Sequence, residues 1–126
     1  VALERDQTPP GPIVTGFAGR GFRLTGHVFP AGLLMTPAEA MPWDAAAMAD
    51  VSIESLAPIL ALDAAPEFVL LGTGASLRRA SPALVAALDA REIGIEAMDS
   101  RAAARAWGLL RAEGRWIAAA LLPLDA

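Results

Sequence analysis

The sequence contains no cysteine, no lysine, no tyrosine and only one histidine. Without cysteine there can be no disulfide, no thiolate metal ligand and no cysteine nucleophile, and the chain suits a reducing compartment. With His27 alone, neither a histidine-rich zinc site nor a histidine pair can form, and no metal or cofactor is expected. The missing lysine makes all ten basic residues arginine. That fits the codon usage of a G+C-rich genome, which favours arginine and alanine, or arginine kept for phosphate contact. The arginines are scattered, and the formal net charge is −4, which argues against a nucleic-acid partner.

Long apolar runs are absent too. Nothing approaches the ~20 residues needed to cross a bilayer, so no transmembrane segment is expected. The longest such run, Trp116 to Leu122, is of core length. The stretch Val1 to Pro12 is polar, carries three prolines and lacks the apolar centre of a signal peptide. It reads as a flexible arm, and a start on Val1 is compatible with a trimmed leader.

What is present points to one domain over residues 13–126. Of the 126 residues, 55% are hydrophobic and 19% charged, enough for a core without staples, although alanine inflates the apolar share. The organising stretch is Glu67-Phe68-Val69-Leu70-Leu71-Gly72-Thr73-Gly74. An apolar run of strand type ends in Gly-Thr-Gly, and the helix-start signal Ser81-Pro82 follows, as at the opening of a βαβ unit.

Before it, residues Ile13 to Met35 read as a glycine-punctuated β-meander that includes Gly32-Leu33-Leu34-Met35, with Pro30 at an edge or bulge. Thr36 to Ala49 reads as irregular, with Trp43 either capping the core from a loop or exposed as a partner-binding anchor. Ser52 to Leu62 reads as a short helix capped by Ser52, provided Pro58 falls in its first turn. After the central strand, Leu84, Val85 and Leu88 give the next helix an inner side, and Gly94 ends it. Ile95 to Met98 is a second strand, and Asp99-Ser100 caps a third helix that runs to Ala112 and stops at Gly114. Trp116 to Leu122 could be helix by pattern; its shortness, Gly114 and Pro123 favour a doubly buried strand.

Two places could carry chemistry. Gly72, Thr73 and Gly74 resemble the start of a dinucleotide fingerprint, but Leu77 stands where its third glycine would be. The turn is either a tight structural corner or an anion site helped by Arg78 and Arg79. Asp99 and Ser100 are either a plain helix cap or, if the two strands are parallel, the other wall of a crevice shared with Gly72 to Gly74. Ser100 has neither a histidine partner nor a nucleophile elbow, so no catalytic residue is expected. Glu113 and Arg115 read as an ion pair at the helix–strand junction or as a clamp for an anionic substrate; Asp89, Glu92 and Glu96 read as a solvated acidic side.

The segment Met98-Asp99-Ser100-Arg101-Ala102-Ala103, with Leu71-Gly72-Thr73-Gly74 before it and Leu110 to Pro123 after it, resembles a family of small α/β proteins of undefined biochemistry. Gly21-Phe22, Gly32-Leu33-Leu34 and Pro42-Trp43 fit the same family, whose mitochondrial members serve as an assembly factor of respiratory complex I. The resemblance implies a three-layer α/β domain: a central mixed sheet, helices packed on it and an additional N-terminal β layer. It implies no established catalysis and no cofactor. Family members often carry threonine after the aspartate and a Tyr-Asn pair later in the helix, where this chain has Ser100 and Ala106-Trp107-Gly108. The function expected from the resemblance is a non-enzymatic protein-interaction or assembly module with a protein partner in a membrane-associated complex. Its expected location is the bacterial cytoplasm, at or near the inner membrane. The alternative is a small-ligand or anion-binding protein, or an unrecognised enzyme, that uses the crevice at Gly72–Gly74 and Asp99–Ser100.

Overall fold

The computed structural model describes residues 11–126, so most of the arm expected over residues 1–12 lies outside the described residues. Among the described residues, eight strands form two sheets. β1 (Val14–Ala18), β2 (Gly21–Leu24) and β3 (His27–Phe29) make an antiparallel meander. The larger sheet has the order β5-β4-β8-β6-β7, built from β4 (Gly32–Met35), β5 (Ala40–Trp43), β6 (Phe68–Gly72), β7 (Gly94–Met98) and β8 (Ala118–Leu121). It is mixed: β6 runs parallel to both β7 and β8, whereas β4 is antiparallel to β8 and to β5.

Two apolar clusters sandwich this sheet, and the strands alternate between them as their period of two requires. Leu34, Val69, Leu71, Ala118 and Ala120 face one side. There they meet α1 (Ala57–Leu60) through Ile59 and α2 (Pro82–Asp89) through Leu84 and Leu88. Leu33, Met35, Leu70, Ala119 and Leu121 face the other side. There they meet α3 (Ser100–Ala112) through Ala103, Ala104 and Trp107, and the meander through Phe22, Leu24 and Phe29. The result is the expected three-layer α/β domain with its added N-terminal β layer. β8 is buried at every position, and its alanines let elements on both faces approach closely. Trp107, fully buried, donates its indole N–H to the Pro12 carbonyl at 2.8 Å and so fastens the start of the domain to α3. Arg101 and Arg105 lie over the Phe17 ring at 5.3 and 5.8 Å, joining α3 to β1.

Several local expectations are corrected. β4 does not continue the meander but crosses into the larger sheet after Pro30. All four of its residues are buried, and apolar side chains on both faces need a strand covered twice, whereas Arg23 of β2 reaches solvent. The segment thought irregular contains β5, so Trp43 sits on a strand rather than a loop. Pro42 is tolerated there because β5 is an edge strand. β6 is not the central strand; β8 is. The helix expected over Ser52 to Leu62 is a 3-10 turn at Glu54–Leu56 followed by α1, whose second residue is Pro58. Its cap position falls on Ile53 rather than Ser52; the Ser52 hydroxyl, one residue earlier, accepts the Ser55 N–H at 3.2 Å.

α2 ends at Asp89, before Gly94, which instead opens β7. The stop is Glu92 in the left-handed region (φ 61°), with Ile93 N–H donating back to the Leu88 carbonyl at 3.0 Å. Val85 turns outward, at 41% exposure, because Leu84 and Leu88 one turn apart already fill the inner stripe. α3 behaves as expected: Asp99 caps it, and Gly114 (φ 78°) closes it with an Arg115 N–H to Leu110 carbonyl bond of 3.1 Å.

Candidate functional site

The turn after β6 and the start of α3 do come together. The Ser100 hydroxyl donates to the Leu122 carbonyl at 2.7 Å and accepts the Gly74 N–H at 2.9 Å, while the Ser100 N–H donates to the Gly74 carbonyl at 2.9 Å. One side chain thus ties the ends of β6 and β8 to the first turn of α3. Thr73, fully buried, donates its N–H to the Met98 carbonyl at 2.7 Å. Its hydroxyl lies 2.6 Å from the Ser76 carbonyl and accepts the Arg78 N–H at 3.0 Å, which shapes the loop into α2. The Ala75 N–H donates to the Ala126 carbonyl at 3.0 Å.

The glycines here answer to space. A Cβ on Gly72 would come within 2.8 Å of Ser100 Oγ and 2.9 Å of Leu121 Cδ2. Gly74 has φ 97°, and a Cβ there would run into the Ala126 backbone. The crevice expected between Gly72–Gly74 and Asp99–Ser100 is therefore filled, with Gly72, Thr73, Gly74 and Ser100 all buried and residues 122–126 folded over the turn. The N–H groups of Thr73, Gly74 and Ala75, which an anion would need, are each occupied by an oxygen of the chain. Asp99 is half-buried, and its carboxylate accepts the Ala102 N–H at 3.1 Å as the α3 cap.

Trp43 is not part of this cluster. It lies on β5, with β4 and β8 between it and β6. At 6% exposure its ring belongs to the core, and its indole N–H donates to the Ser55 carbonyl at 2.9 Å. It borders a shallow cavity of about 620 Å³ that Asp44, Asp50 and Glu54 also line. Asp50 is used locally, its carboxylate accepting the Ala46 and Ala47 N–H groups at 3.0 and 3.2 Å.

The ion pair at the α3–β8 junction has a different partner from the expected one. Arg115 reaches Glu67, not Glu113, with Nη2 2.9 Å and Nε 3.1 Å from the two carboxylate oxygens. The guanidinium holds the Glu67 carboxyl below the usual carboxylate range, and the carboxylate raises Arg115 in turn. Both side chains are well exposed, so the pair orients the junction more than it stabilises it. Among the described residues there is no group of three or more His, Asp or Glu that could hold a metal ion.

A second region escaped sequence reasoning. β7 forms the outer edge of the larger sheet. Beside it runs a groove of about 460 Å³ lined by Leu77, Arg78, Arg79, Ala80, Val85, Ile95 and Ala97. Leu77 and Val85 are 67% and 41% exposed. The available signal was Leu77 itself, a large apolar residue in the middle of a polar turn.

A model of the family described as "Protein of unknown function (DUF498/DUF598)" matches residues 14–122. Among relatives, NADH dehydrogenase [ubiquinone] 1 alpha subcomplex assembly factor 3 of Danio rerio is 28% identical over 123 residues, 98% of this chain and 71% of that protein. An uncharacterized protein of Rhodobacter capsulatus is 33% identical over 111 residues, 88% of this chain and 84% of its own length. The crystal structure of a Bordetella parapertussis protein superposes with a TM-score of 0.81 at 34% identity, covering 90% of this chain and 96% of that one.

Proposed function

This chain belongs to the DUF498/DUF598 family, and on that premise we propose that it is a non-enzymatic protein-binding module that helps assemble or stabilise a membrane-associated complex. The observation that carries the reading is the similarity to NADH dehydrogenase assembly factor 3 across 98% of this chain, from the meander through β8, rather than over one motif. The state of the Gly-Thr-Gly turn supports it. An anion site at this turn would need free donors facing an open cleft, and its donors are internal ties. In this reading Gly72, Thr73, Gly74, Asp99 and Ser100 hold the shape of a surface that other elements present, and Trp43 supports the β5 edge from within. The module works in the bacterial cytoplasm and meets its partner at the inner membrane.

The test is affinity purification of the tagged chain from native cells, in parallel from soluble and detergent-solubilised fractions. The expected result is a specific protein partner that belongs to a respiratory membrane complex, together with lower levels of that complex when the gene is deleted. Recovery of nothing above background from both fractions, with unchanged complex levels, contradicts the proposal.

A further inference from the structure

The outer edge of β7 is a sheet edge with no strand beside it among the described residues. Gly94 N–H donates to the Glu67 carbonyl at 2.9 Å, and the Met98 carbonyl accepts the Thr73 N–H at 2.7 Å, so Gly94, Glu96 and Met98 direct their backbone groups toward β6. Alternation along a strand then points the N–H and C=O groups of Ile95 and Ala97 away from β6, to the open side. No described residue bonds them there. Unpaired edges of this kind template an added strand, and proteins usually blunt them. The opposite edge, β5, is blunted by Pro42; β7 contains no proline.

The side chains beside this edge select a partner. Ile95 and Ala97 share one face with Val85 and Leu77, which makes the floor of the groove apolar. Arg78 and Arg79 line the same groove, both exposed, and neither guanidinium has an ion-pair partner among the described residues. The one acid of β7, Glu96, lies on the opposite face of the strand by the same alternation. The groove thus offers two cations and an apolar floor on one face, with unpaired backbone alongside.

We propose that the β7 edge is a strand-addition site for an extended, acidic segment of a partner protein. Its backbone pairs with Ile95 and Ala97. Its groove-facing side chains are apolar where they meet Leu77, Val85, Ile95 and Ala97, and carboxylates where they meet Arg78 and Arg79. The inference rests on the protein-binding reading above and assigns it a surface and a partner chemistry.

The test is an NMR titration of the whole chain with two capped peptides. One alternates threonine with valine, valine, glutamate and aspartate; the other has lysine in place of both acids. The acidic peptide is expected to shift the Ile95 and Ala97 amides and to slow their exchange, while the lysine peptide does neither. The double variant Arg78→Glu/Arg79→Glu should weaken binding by about tenfold or more, as befits the loss of charge-assisted contacts. Ala97→Pro should abolish binding while the Gly94, Glu96 and Met98 amides keep their protection, because it removes only an outward donor. No shift with either peptide, equal binding of both, shifts mapped elsewhere, or self-association of the chain through β7 overturns the proposal. A native purification repeated with the arginine variant separates the two levels. A partner retained by the wild type and the variant alike sinks the surface and leaves the assembly function standing. A wild type that binds the acidic peptide but recovers no cellular partner keeps the surface and sinks the function.

Discussion

β6 and β7 are neighbours in one parallel ladder, with Gly72 opposite Met98, yet the region each one leads to is in the opposite physical state. At the end of β6 three successive donors are matched: Thr73 by Met98, Gly74 by Ser100 and Ala75 by Ala126. Along the outer side of β7 no described residue bonds the backbone of Ile95 and Ala97, and large apolar side chains stand in solvent beside it. The first region is rich in glycine and polar residues and looks like a site in the sequence. The second is an ordinary strand edge and a loop. A motif that resembles a ligand cradle can be the most thoroughly closed part of a molecule, because the groups that would hold an anion serve equally well to join three elements. Availability is settled by what remains unpaired after folding.

The comparison can be broken first at the turn. Gly74→Val combines a strained φ with a backbone collision, and about 2–5 kcal/mol of destabilisation is expected, read as a fall in the urea midpoint. A near-neutral result would mean that the turn is loose and the closed description wrong. Ser100→Ala comes next. It orphans the Gly74 N–H and the Leu122 carbonyl, and about 2–4 kcal/mol should be lost in the same denaturation assay. At the edge the expectation reverses. Leu77→Asp and Val85→Asp should each change stability by no more than about 0.5 kcal/mol, since neither side chain supports the core. Leu84→Asp, one residue away and buried, should unfold the domain.

The smallest effect belongs to Glu67. Its folded carboxyl is held below its unfolded range by Arg115, so its contribution is present above the unfolded carboxylate range and is lost as the pH falls through the folded value. Thermal melts of Glu67→Gln should therefore fall slightly below wild type at neutral pH and converge with it in acid. A difference that persists or widens in acid would remove the ion pair from the account.

Local chemistry made much of the fold legible. The Ser81 and Asp99 caps, the Gly114 stop and the full length of α3 follow from residues within a few positions of one another. So does the strand character of β8, where a short apolar run is bounded by Gly114 and Pro123. What escaped depends on distant contacts. β4 leaves the meander because its apolar residues on both faces find cover only beside β8, far along the chain. Arg115 chooses Glu67 over Glu113 because β6 and the approach to β8 are brought side by side by the sheet. Glu92 replaced the expected glycine at the end of α2, where Leu88 and Ile93 fix the turn by belonging to the same apolar cluster. At the candidate site, the proximity of Gly72–Gly74 and Asp99–Ser100 was legible from paired strand ends. That Ser100 would fill the space between them was not, since it required the position of Leu122 as well.

The most direct measurement is amide hydrogen exchange on the unliganded chain, resolved by residue. The account predicts that Thr73 and Gly74 exchange close to the rate set by global unfolding, with Ala75 protected beside them. Ile95 and Ala97 should exchange far faster than Gly94, Glu96 and Met98 on the same strand. Fast exchange at Thr73 and Gly74, or equal protection along the whole of β7, would contradict the contrast between a closed turn and an open edge.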